Sequence, residues 1–383
     1  MTVDAIIYIC LYVCGCIVVF DLFFAANIRI SQIVLPRRTA YIEKLLKKQM
    51  TVSHSTSTNG GRSIGKLYAR MQNINWLLAY LHAFKNVQAK YSGDIYLIQL
   101  LQKFNINLFE RLSEEYAKRN DESKALFAYI VYKMIPSGDE FYSDCRAFSR
   151  LLRNLAVLMD SDSVYIWCNT FRAIVKMGSV KYVLYALTLL NGRIHLRISK
   201  FFSDYLVEFK GDICALNEKL LDSLFEFSPE IQVLIINYLR LLPMSVPQES
   251  SYHVICRALC DRGVHGETVI AAIRYFGKHH YEQAYKKLLE FLEMDIEHTK
   301  EFNYAAVAAS SLSSYRSQAT IDGLLRQLSS PDWYVRFNCA DSLLSLDVDY
   351  EAVIAKNTDQ YAQDIFIHRS EIYYMRKGAK FTQ

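Results

Sequence analysis

Glycine and proline are scarce in this chain, with 14 Gly and 6 Pro among 383 residues, below the average usage of about 7% and 5%. Few positions suit tight turns, which disfavours many short strands joined by hairpins and favours long helices with short connections. Catalytic signatures are missing as well. No HExxH helix, GxSxG elbow or GxxxxGK[ST] phosphate loop occurs in the sequence, so zinc-peptidase, hydrolase and P-loop chemistry have no visible carrier. Charge of either sign is nearly balanced over residues 63–383, where the net is +1. Such a body is a poor match for a phosphate backbone, and no nucleic-acid partner is expected.

What charge there is lies elsewhere. Residues 27–62 carry Arg29, Arg37, Arg38, Lys44, Lys47, Lys48 and Arg62 against Glu43 alone. They follow residues 5–26, AIIYICLYVCGCIVVFDLFFAA, whose only charge is Asp21. That length and apolarity predict a transmembrane helix (1–27), and the cations after it predict a cytoplasmic body with the N-terminus outside. The nine cysteines, at 10, 14, 16, 145, 168, 214, 256, 260 and 339, are scattered through apolar helical stretches, a pattern of free thiols in a reducing compartment. Asp21 can reach the interface or pair with a cation on a neighbouring span. Residues 28–50 form a basic amphipathic segment in which Ile42, Leu45 and Leu46 share one face. Arg37, Arg38, Lys44, Lys47 and Lys48 are candidates for docking to a membrane or partner. Residues 51–63, TVSHSTSTNGGRS, read as a flexible linker that leaves anchor and body separately mobile.

Beyond the linker, apolar residues recur at spacings of three and four, so the body is all-α. A divergent helical region is expected over 64–150, helix-pair repeats over 151–362 and a C-terminal cap over 363–383. Helices led by Glu230, Glu267, Glu301 and Trp333 start 37, 34 and 32 residues apart, and LLDSL (220–224), LLEFL (288–292) and LLRQL (324–328) repeat ahead of them. That period marks a two-helix unit that must stack on its neighbours to cover its apolar face.

Within residues 324–346, LLRQLSSPDWYVRFNCADSLLSL, Leu324, Leu325 and Leu328 lie on a first helix and Asp332 in a turn. Val335 and Arg336 form a Val-Arg pair, followed by Ala340, Leu343 and Leu344. This segment resembles the HEAT-repeat family. The resemblance implies a right-handed α-solenoid whose activity is binding proteins, with membrane-anchored bacterial examples serving as accessory subunits of envelope or exopolysaccharide glycosyltransferase machinery. The units led by Glu230, Glu267 and Glu301 lack the Val-Arg pair. Asp332 is positioned to cap the second helix and Ala340 to allow close helix approach.

Three constellations invite chemistry. His253, Cys256 and Cys260 fall on one helical face with His265 in the next loop; zinc accepts such ligands, but three on one straight face converge poorly. Asp160/Asp162 and Asp347/Asp349 match a short glycosyltransferase acidic pair but lie at inter-helix loops. His279-His280 reads as a solvated turn. No metal, cofactor or small-molecule substrate is expected. The leading expectation is a non-catalytic scaffold for a membrane-associated protein, with a HEAT-like lyase or glycosylase, or a lipid- or polysaccharide-binding module, as alternatives.

Overall fold

The computed structural model describes residues 33–48, 60–135, 146–243, 245–246, 249–294 and 303–376. Every regular element among them is helical. Helix α1 covers residues 33–48 and is followed by α2 (Gly60–Met71), α3 (Ile74–Lys90), α4 (Ile95–Tyr116), α5 (Asp121–Met134), α6 (Arg146–Leu158), α7 (Val164–Met177) and α8 (Val180–Leu190). Then come α9 (Leu196–Leu206), α10 (Ile213–Asp222), α11 (Pro229–Leu241), α12 (Glu249–Cys260), α13 (Gly266–Phe276) and α14 (Glu282–Leu292). The last are α15 (Tyr304–Leu312), α16 (Gln318–Gln327), α17 (Trp333–Ser345), α18 (Tyr350–Lys356) and α19 (Gln360–Arg376). Two compact units divide the chain after Tyr182, inside α8.

Unit one sets α3, α5 and α7 side by side, with α4 against α6 and each of these also against the helix that follows it. Its centre is aromatic: Tyr116 stacks on Phe127 at 4.8 Å, and Phe109 meets Tyr80 and Phe127 edge-on. Tyr116 also donates from its hydroxyl to the carbonyls of Met71 and Gln72, at 2.9 and 3.2 Å, tying the end of α2 to α4. Gly178 ends α7 in the left-handed region at φ 79°, a conformation that costs glycine little because it has no Cβ.

Helix α1 belongs to this unit, which corrects the expectation of a separately mobile basic segment. Ile42 and Leu46 are buried at 0% and 1% exposure, Tyr41 meets Trp76 edge-on at 5.9 Å, and Asn86 donates to Glu43 at 2.6 Å. The amphipathic face thus covers α3, because burying apolar surface against a folded neighbour satisfies the same pattern that a lipid surface would. The linker expected over 51–63 lies outside the described residues up to 59, and from Gly60 the chain is helical.

The expected single-pass localisation, with a cytoplasmic solenoid, is also corrected: no helix among the described residues is long and apolar enough to cross a membrane. Residues 5–26, with Asp21, lie outside the described residues.

In unit two, α9, α11, α13, α15, α17 and α19 lie in sequence as one layer. Helices α12, α14 and α16 form a second row, each packed on the helix that follows it. The row-one helices begin at 196, 229, 266, 304, 333 and 360, so the periodicity read around Glu230, Glu267 and Trp333 is that of one layer. Polar rungs join its neighbours across that interval. Ser203 Oγ donates to the Leu234 carbonyl at 3.0 Å, Thr268 Oγ1 to Gln232 Oε1 at 3.0 Å, Asn338 Nδ2 to the Ala306 carbonyl at 2.8 Å, and Ser342 Oγ to the Ala309 carbonyl at 2.8 Å. Gly277 ends α13 where a Cβ would stand 2.9 Å from the Ser311 Cβ, so its lack of a side chain sets how closely α15 can approach.

Helix starts in unit two are fixed by short polar side chains. Asn303 caps α15 through Ala306 N–H and Asp349 caps α18 through Ala352 N–H. Asp332 caps α17, its carboxylate accepting from Val335 N–H at 2.9 Å. Replacing Asp332 with Ala should lower unfolding free energy by about 1 kcal/mol, read as a smaller urea midpoint, whereas Asn should retain most of the cap.

Candidate binding surface

The outward side of the α11–α19 layer carries side chains that the fold does not use for its own core. At its basic end, Lys278 Nζ donates to the carbonyls of Arg240 and Leu242, both at 2.7 Å, closing the C-terminus of α11. Arg274 stands one turn before Lys278, on the same stripe. Burial and then the nearby Arg274 charge lower the Arg240 pKa; burial and then Arg240 lower that of Lys278. Arg240 Nε is buried without a hydrogen-bond acceptor. Among the described residues no carboxylate pairs with these three cations.

At the other end the layer is aromatic. Trp333 is 52%, Tyr334 65% and Tyr361 73% exposed. Phe337 packs on Trp333 at 4.9 Å, and the Arg369 guanidinium lies 4.0 Å from the Phe337 ring. Arg369 also forks onto both oxygens of Asp341, at 2.6 and 2.8 Å, a geometry that fixes the guanidinium in place. Along α15, between the two ends, Ser310 is exposed and Val307 half-buried. Exposed aromatics at one end of the layer and unpaired cations at the other supply apolar area and charge-assisted hydrogen bonds.

The residues singled out from sequence scatter. Arg37 and Lys44 are exposed on α1, and Arg38 lies 5.2 Å from the Trp76 ring. Lys47 is half-buried and Lys48 exposed. Val335 and Ala340 are buried at 1% and 0%, and Arg336 is half-buried with an unpartnered Nε. None of these joins the basic cluster.

Nor do the suspected chemical groups assemble. His253 Nδ1 is bonded to the Tyr281 hydroxyl at 3.0 Å, and His265 Nδ1 accepts from Glu267 N–H at 3.3 Å as the α13 cap. Cys260 is exposed while Cys256 is buried, its thiol pushed up to about 11 by burial and then by Cys260. No group of three or more potential metal ligands occurs among the described residues. Asp347 pairs with Arg316 at 3.2 Å, while Asp349 is a helix cap. A cleft of about 620 Å³ opens beside Cys260 and Tyr304, and Lys287 and Glu290 in its wall pair with each other at 2.6 Å.

One expectation fails outright. His279 does not sit in a solvated turn: it is 0% exposed, stacked on Tyr275 at 4.5 Å, with neither ring nitrogen hydrogen-bonded. Burial, followed by the charges of Lys278 and His280, lowers its pKa to about 4. The reason is the tight turn after α13, in which His279 N–H donates to the Tyr275 carbonyl and the ring is carried inward. His280 is exposed and stacks on Tyr315 at 4.5 Å.

The basic cluster went unseen in the sequence, although a signal exists. Arg172/Lys176 and Arg274/Lys278 share the spacing Arg-x3-Lys at the ends of α7 and α13. No protein-family model matches the chain, and a search of curated proteins found no match either.

Proposed function

We propose that the chain is a non-catalytic binding scaffold, a right-handed α-solenoid of HEAT-like helix pairs whose α11–α19 layer receives a protein partner. The observation that carries this reading is the outward side of that layer, where exposed Trp333, Tyr334 and Tyr361 accompany the unpaired Arg240, Arg274 and Lys278. Stacked helix pairs suit the role because each added unit extends a surface without changing the core beneath it. Aromatic and arginine side chains dominate binding energy at protein interfaces, and here both are held on helices rather than on loops. The polar rungs support the same reading, since they fix the spacing of neighbouring helices and so preorganise the surface.

The test is co-purification of the full chain from its native cells after mild cross-linking, with mass spectrometry of what is retained, run beside a Tyr334→Ala/Arg274→Gln double variant. The scaffold reading expects a protein in near-equal amount that the variant loses. Retention of the same protein by the variant, or turnover of a small molecule by the purified chain, would count against it.

A further inference from the structure

The geometry points to Arg240, Arg274 and Lys278 as a receptor for a carboxylate-rich segment of a protein partner, an inference that rests on the scaffold reading and names the chemistry of what it binds. The same local frame is built in each unit. In unit one, Lys176 Nζ donates to the Tyr132 carbonyl at 2.9 Å, closing α5, and Arg172 one turn earlier donates to the Tyr132 hydroxyl at 2.6 Å. The Arg172 guanidinium also lies 4.2 Å from the Tyr132 ring. The Tyr132 side chain thus supplies Arg172 with both an acceptor and a π face, although Arg172 Nε, like Arg240 Nε, is buried without a hydrogen-bond acceptor.

Unit two repeats the frame with one change. Lys278 closes α11 on the Arg240 carbonyl as Lys176 closes α5 on that of Tyr132, so Arg240 stands where Tyr132 stands. A cation has replaced the group that would have received Arg274. Lys278 Nζ lies on the Arg240 carbonyl and the Arg274 charge is near enough to Arg240 to lower its pKa, with no carboxylate paired to any of the three among the described residues. Holding unpaired cations together is unfavourable in a partly buried setting, and an incoming anion removes that cost.

Carboxylates fit for two reasons. A guanidinium presents paired donors that match the two oxygens of a carboxylate. Glu267 lies two turns from Arg274 on the same stripe of α13, so a long uniform polyanion running along the helix would meet its charge. A short acidic segment crossing the layer avoids it.

The experiment uses the full chain and a fluorescein-labelled peptide of eight glutamates, with an eight-glutamine peptide and a dT12 oligonucleotide as controls, read by anisotropy. Wild type should bind the glutamate peptide saturably at about 50 mM salt and much more weakly at about 300 mM, where screening is stronger. Arg240→Tyr, which restores the unit-one frame, should weaken binding about tenfold or more while leaving the melting temperature unchanged or raised; Arg274→Gln, at an exposed site, should weaken it similarly. Equal binding by wild type and both variants, absence of binding at low salt, or tighter binding of the oligonucleotide would overturn the proposal. Partner cross-linking through Tyr334 that persists in Arg240→Tyr, with equal peptide affinities, would remove the receptor and leave the scaffold reading intact.

Discussion

Replacing Tyr116 with Ala should destabilise unit one by about 3 to 5 kcal/mol, the range for removing a large buried aromatic. Its side chain is 0% exposed, its ring is nearly parallel to that of Phe127, at 8°, and its hydroxyl closes on the end of α2. Truncation would leave a cavity among Phe109, Phe127 and α2 and free two carbonyls that have been its acceptors. Tyr116→Phe separates these contributions. It keeps the stack and loses the hydroxyl, so the expected cost is about 1 kcal/mol. Urea melts of both variants provide the check. A loss below about 1 kcal/mol for the Ala variant would mean that the stack does not hold unit one together.

His279→Phe should remove much of the acid sensitivity of unit two. The folded ring has a pKa of about 4 against 6.5 for the free group. Between those values the unfolded chain takes up a proton that the folded chain refuses. The contribution of neutral His279 is therefore complete above about pH 6.5 and lost as pH falls toward 4, on the order of 3 kcal/mol over the whole window and about 2 kcal/mol by pH 5. The charged neighbours, Lys278 and His280, oppose protonation, while Tyr275 and Tyr252 pack as rings around it. Phe keeps the stacking and has no proton to gain. Urea midpoints at pH 7.5 and 5 should fall further for wild type than for the variant. An equal fall in both would show that the buried ring does not govern the response.

The helical class was legible because apolar spacing and the shortage of Gly and Pro point the same way. The periodicity was legible too, since the helices led by Glu230, Glu267 and Trp333 are α11, α13 and α17 of one layer. Asp332 was readable as a cap because an Asp ahead of an apolar run is a local signal. What sequence could not give depends on contacts between units of the repeat. Whether Ile42 and Leu46 would meet lipid or α3 is the same pattern in either case. The position of His279 depends on the tight turn after α13, and Gly277 signals the helix end without fixing where that turn carries the ring. The basic cluster was hidden by a balanced total: Arg240 and Arg274 lie 34 residues apart, and only stacking of α11 on α13 makes them neighbours.

Site-directed photo-cross-linking in native cells tests the central claim most directly, with a photoreactive residue placed in turn at Tyr334 and Arg274 on the outward layer and at Lys286 on α14. The scaffold account predicts one protein cross-linked from the first two positions and not from Lys286. Cross-linking from Lys286 alone, or from none of the three while the chain remains folded, would contradict it.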